Sequence, residues 1–207
     1  MILYAETNFV LELAFEQERH GDCQAILDLA KVEGGLELAL PAFCIGEAYE
    51  RQIRRQRDRE ELHRRLMAEL GELSRSPSYA RRLEEVRELT ALLAESGQEE
   101  LQSLELVLDE LYDAATIVPL DKAVAREAHR QQPSRGLSPQ DALVYASILS
   151  HLRGTGAADF SEEPHSCFVT RDNDFTDDDV RADLESLGCK ILFKFDAALG
   201  YVQSRLS

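Results

Sequence analysis

Four carboxylates, Glu6, Glu47, Asp141 and Asp172, stand where an α/β chain can bring acids together. Glu6 follows Met1-Ile2-Leu3-Tyr4-Ala5, which reads as a first strand, and Asp172 follows Cys167-Phe168-Val169-Thr170, a buried-type strand. Ligand sites in open parallel sheets lie beyond the carboxyl ends of the strands, so both acids face one rim. Glu47 and Asp141 lie near the starts of helices entered from loops, and such helices begin at that rim or return toward it. Two carboxylates about 4 Å apart repel by roughly 4 kcal/mol at an effective dielectric near 20. A hard divalent cation removes that penalty, and an oxygen-only donor set suits Mg²⁺ or Mn²⁺. Such an ion, with positions left for water and phosphate, is the apparatus of phosphodiester hydrolysis.

The elements that must position these acids follow from periodicity. Helical spacing of Ala25, Ile26, Leu29 and Ala30 predicts a helix over 22–32, stopped by Gly34-Gly35. Leu36 to Leu40 alternates as a short strand that Pro41 ends. A helix beginning near Ala42 carries Glu47 into an arginine-rich stretch, and Ser74 to Ser78 breaks it. Two more helices are expected over roughly 79–95 and 99–113, separated by Ser96-Gly97. Ala115 to Leu120 reads as a strand, 121–132 as a helix and 133–136 as a loop. Ser138 as N-cap, Pro139 at the first helical position and Asp141 three after the cap mark a strong helix start. A loop over 154–166, a last strand over 190–193 and a closing amphipathic helix complete the pattern. Alternating strands and helices imply a mostly parallel, covered sheet. At 207 residues the chain suits one domain, with the mostly helical block from about 50 to 113 as an insertion.

A formal charge of −16 repels a polyanion on average, yet the charge is segregated. Seven arginines between Arg51 and Arg65 face three acids there, a local balance of +4, which leaves −20 on the rest. One reading is a solvated helix of mixed charge. The other is a basic lip in which Arg51, Arg54 and Arg55 hold an RNA backbone. The four cysteines are scattered, as expected of buried free thiols in a reducing cytoplasm. No apolar run approaches the roughly 20 residues of a membrane helix, and no signal peptide is read at the N-terminus.

Several segments then fall into a familiar order. Ala5-Glu6-Thr7-Asn8-Phe9-Val10-Leu11 resembles the opening strand-end motif of PIN domains, and Pro41 to Glu47 their acidic second motif. Ile117-Val118-Pro119-Leu120 through Ala128, followed by Leu137-Ser138-Pro139-Gln140-Asp141-Ala142, resembles their third strand and acidic fourth-helix start. Phe168-Val169-Thr170-Arg171-Asp172-Asn173-Asp174-Phe175 resembles their T-x-D-x-x-F segment. The resemblance covers roughly 1–49 and 115–195. It implies a three-layer α/β/α fold with Glu6, Glu47, Asp141 and Asp172 as catalytic metal-site acids, Asp174 as a further ligand, and Asn8 and Thr170 in support. It further implies a divalent-metal-dependent endoribonuclease acting on RNA, with an antitoxin or other protein partner, and a homodimer is compatible with it. The first acid of the family is usually aspartate; Glu6 carries one methylene more, and a displacement of about 1 Å can cost on the order of a hundredfold in rate. A PIN-like protein- or RNA-binding module without useful catalysis is therefore the alternative. Bland readings remain for single residues: Asp141 as a helix-start residue, Glu47 as a solvated helix residue, Asp172 and Asp174 as turn formers. A phospho-aspartate hydrolase ranks low, because Glu6-Thr7-Asn8 offers no aspartate nucleophile.

Overall fold

The computed structural model describes residues 1–80, 83–155 and 164–206. Five short strands form one all-parallel sheet in the order β3-β2-β1-β4-β5, comprising β1 (Ile2–Tyr4), β2 (Glu37–Pro41), β3 (Ala115–Val118), β4 (Ser166–Val169) and β5 (Cys189–Leu192). The central strands read as continuous apolar runs because helices cover both faces; every residue of β4 is buried, as are Leu3 and Tyr4 of β1 and Leu38 to Pro41 of β2. The edge strands β3 and β5 alternate instead, with Cys189 and Ile191 buried around exposed Lys190.

The helices are α1 (Thr7–Ala14), α2 (His20–Ala30), α3 (Ala42–Leu73), α4 (Pro77–Ala80), α5 (Leu83–Ala114), α6 (Lys122–Arg135), α7 (Pro139–Gly154), α8 (Asp178–Ser186) and α9 (Phe195–Leu206). The chain steps from β1 to β2 to β3 in one direction, then jumps back past β1 to β4 and β5. Because parallel crossovers are right-handed, the connections through α1 to α5 cover one face, and those through α6, α7 and α8 the other. The observed α/β fold and parallel sheet are those the alternation predicts.

Two boundaries differ from the sequence reading. Ser96-Gly97 does not separate helices; α5 runs through it for 32 residues, antiparallel partner to the equally long α3. Gly97 is there for a close approach: a Cβ at that position would lie 3.1 Å from Gln56 Cγ, and buried Gln52 donates through Nε2 to the Gly97 carbonyl at 2.9 Å. Pro133 does not end α6, which continues to Arg135 and closes on Gly136 in the left-handed region (φ +66°). Ion pairs of Arg135 with Asp179 and Asp183, at 2.7 and 2.6 Å, hold that last turn against the missing proline donor. The loop expected over 154–166 lies largely outside the described residues.

Candidate metal centre

The strand order reverses between β1 and β4, and the crevice beyond their carboxyl ends is the topological switch point of the sheet. Glu6 follows β1 there and Asp172 follows β4. Thr170 ties the two ends together: its buried hydroxyl lies 3.3 Å from Glu6 Oε1 and accepts from the Asp172 backbone N–H at 2.9 Å.

Three aspartates converge at this rim. One carboxylate oxygen from each of Asp141, Asp172 and Asp174 lies within 4.8 Å of the others. Asp141 is delivered by the start of α7, where the Ser138 hydroxyl accepts from the Asp141 N–H at 3.2 Å and donates to Asp141 Oδ2 at 2.5 Å. Asp172 caps a single 3-10 turn (Asn173–Thr176) by accepting from the Asp174 N–H at 2.9 Å, which projects both side chains from one short arc. Phe175 anchors that arc, buried edge-on against Phe168 with ring centroids 5.1 Å apart. Burial pushes the Asp141 carboxyl from an ordinary 3.8 up to about 6, the Ser138 hydrogen bond opposes this, and the charges of Asp172 and Asp174 add to it. Carboxylates held against their own repulsion, with only oxygen donors, fit a hard divalent cation.

The two glutamates stand outside that cluster and are occupied by protein. Glu6 is the N-cap of α1: Asn8 donates to it through its backbone N–H at 2.9 Å and its side-chain amide at 2.8 Å. Burial raises the Glu6 carboxyl, the hydrogen bonds from Asn8 and the Arg171 N–H lower it, and the Glu47 charge adds to the rise; the net direction is up. Glu47 takes the Thr7 hydroxyl at 2.5 Å and both Nε and one terminal nitrogen of Arg51, at 3.2 and 2.9 Å. Burial lowers the Arg51 guanidinium, but the Glu47 hydrogen bond and the charges of Glu47, Glu6 and Asp172 outweigh it. Arg51, with its side chain 47% exposed, is thus the cation paired with Glu47.

The structure places all the predicted acids at one rim, but as an aspartate triad beside a glutamate pair. Ser138 caps the helix as the sequence predicts and also donates to the Asp141 carboxylate; Thr7 and the counter-ion role of Arg51 escaped the sequence reading, although Thr7 adjoins a predicted acid and the i, i+4 spacing of Glu47 and Arg51 was an available signal. Arg54 pairs with Glu50 at 2.5 Å, and Arg55 and Arg59 with Glu100 at 2.9 and 2.7 Å, so acids meet much of the local positive charge. All four cysteines are buried and free, and burial pushes each thiol up, which removes them as nucleophiles.

No described helix is long and apolar enough to cross a membrane. No curated protein matches the sequence. The crystal structure of VapBC2 from Rickettsia felis, bound to a DNA fragment from its promoter, aligns over 93% of this chain and 98% of that one, at 13% identity and a TM-score of 0.41. A family model described as the PIN domain matches residues 3–175, a span that runs through α3 and α5. By that match over most of its length, the chain belongs to the PIN-domain family.

Proposed function

We propose that this chain is a divalent-metal-dependent endoribonuclease, and that Glu6, Glu47, Asp141 and Asp172 shape its site. The observation that carries the reading is the approach of Asp141, Asp172 and Asp174 within 4.8 Å at the switch point of the sheet. These three would hold the ion. Bound there, Mg²⁺ or Mn²⁺ supplies a Lewis acid that offsets charge on the phosphate oxygens and acidifies water. Ser138 fixes the Asp141 carboxylate, Thr170 fixes the relative position of Glu6 and Asp172, and Arg51 neutralises Glu47 at the edge of the cluster. The chain is read as one domain, with the α3–α5 hairpin as its elaboration.

The test is cleavage of a mixed single-stranded RNA pool in Mn²⁺ by the wild type, Asp141→Asn and Asp172→Asn. Metal-dependent cutting that both variants lose is the expected result. Equal cutting by all three, or by none, would sink the reading.

One observation favours a second reading, an RNA-binding module without cleavage: the Glu6 carboxylate, which stands where the family usually has aspartate, has both oxygens engaged by Asn8. A Mn²⁺ titration separates the two, since a binding module has no need of the ion.

A further inference from the structure

Beside the acids, between α1 and α3, lies a cavity of about 310 Å³ lined by Asn8, Leu11, Phe15, Gln17, Asp58 and the arginines 51, 54 and 55. It adjoins the site through shared residues, because Asn8 also holds Glu6 and Arg51 also holds Glu47. Its walls differ in kind. Leu11 and Phe15 give an apolar side, and Arg51, Arg54 and Arg55 outnumber the one acid, Asp58, on the other. Between them the Arg55 guanidinium carbon sits 4.7 Å from the centre of the Phe15 ring. A single phosphate needs no ring, and an apolar ligand needs no arginines. A nucleotide needs both, since bases stack on aromatic rings and guanidinium planes while the backbone takes cations.

The backbone is built to present Phe15. It caps the end of α1, and Glu16 immediately after it is, among the described residues, the only non-glycine at positive φ (46°). Strain of that kind persists where the surrounding structure imposes it; here it stands directly after Phe15, which is half-buried. All three cations are paired within the fold, Arg51 with Glu47 through Nε and one terminal nitrogen, Arg54 with Glu50 and Arg55 with Glu100, yet their side chains stay 47%, 68% and 42% exposed. Arg54 and Glu50 form an exposed pair, 68% and 58% accessible, of the class that contributes little to stability.

We propose that this cavity is a subsite for one unpaired nucleotide, whose base packs on the Phe15–Arg55 platform while Arg51 and Arg54 take the adjoining phosphate. The proposal rests on the nucleic-acid reading above and adds to it a named place where one base is held. A duplex cannot fill the subsite, because its bases are stacked on one another.

The experiment compares two end-labelled probes by fluorescence anisotropy at low salt in EDTA, oligoadenylate and an abasic ribose-phosphate oligomer of equal length. The proteins are the wild type, Phe15→Leu, which keeps apolar bulk without the ring, and Arg55→Lys, which keeps the charge without the plane. Wild type should bind oligoadenylate about five- to a hundredfold more tightly than the abasic oligomer. Both variants should bring that ratio toward one with abasic affinity unchanged. A wild type that binds both probes alike, or neither, overturns the proposal, as do variants that keep the wild-type ratio. If Phe15→Leu fails to fold, Arg55→Lys decides alone, since its side chain is 42% exposed and outside the core. Base preference without Mn²⁺-dependent cleavage would leave this subsite standing and remove the nuclease reading; cleavage without base preference would do the reverse.

Discussion

The two halves of the acidic rim carry the same functional group in opposite circumstances. Glu6 and Glu47 are hydrogen-bonded by Asn8, Thr7 and Thr170, and Glu47 also has a cation in Arg51, although burial still pushes the Glu6 carboxyl up. Asp141 takes the Ser138 hydroxyl and Asp172 the Asp174 N–H, neither of them a cation, and the Asp141 carboxyl is driven up to about 6 by burial and by its neighbours. The contrast teaches that proximity of acids is not by itself a metal site: what matters is how many of their oxygens the protein's own donors already hold, and which are left to a cation. The aspartate half is the half that asks for one, and the glutamate half is the frame that holds it.

The contrast can be broken most severely through activity. Asp172→Asn should lower Mn²⁺-dependent cleavage at least a hundredfold, and Glu47→Gln much less, in a single-turnover assay; equal losses would erase the distinction. Stability in EDTA should then separate the halves by sign. Glu6→Ala leaves two Asn8 donors without their acceptor and should cost about 1–3 kcal/mol in urea unfolding, whereas Asp141→Asn should raise the melting temperature by removing a carboxylate held against its neighbours. A rise in both variants would mean that Glu6 is as frustrated as Asp141.

A pH series sharpens the comparison further. The folded Asp141 binds its proton more tightly than the ordinary carboxyl, so metal-free stability from this group is present below about 4 and declines as pH rises through about 6. An incoming cation must displace that proton, so Mn²⁺ affinity should strengthen with pH by up to about tenfold per unit below 6 and level off above it. Calorimetric titration of wild type and Asp141→Asn checks this, because the variant should lose the Asp141 contribution to that slope. The smallest effect belongs to Arg51→Met, which withdraws the cation paired with Glu47 and should tighten Mn²⁺ binding by a few-fold; weaker binding would show that Arg51 organises the site and does not compete for it.

Much of this arrangement was legible in the sequence because it depends on local punctuation. Glu6 and Asp172 follow apolar strands, and Ser138-Pro139 announces the helix that delivers Asp141, so their meeting at a parallel-sheet rim follows from chain order. The division of the acids into a triad and a pair was not legible, because it depends on contacts such as Thr7 with Glu47 across 40 residues and Thr170 with Glu6 across 164. Gly97 misled for a related reason: a glycine that admits a neighbouring helix looks, in one dimension, the same as a glycine that ends its own. The arginine run was ambiguous for the converse reason, since several of its partners, Glu47, Glu50 and Glu100, come from before the run or from a distant helix.

The Thr170 hydroxyl has a further consequence. One oxygen atom is the stitch between the end of β1 and the end of β4, touching the Glu6 carboxylate on one side and the Asp172 amide on the other. With the Arg171 N–H, which also reaches Glu6 Oε1, it continues the β1–β4 ladder past the last paired residues, so the loss of this one hydroxyl would loosen the Glu6 carboxylate and the Asp172 turn together.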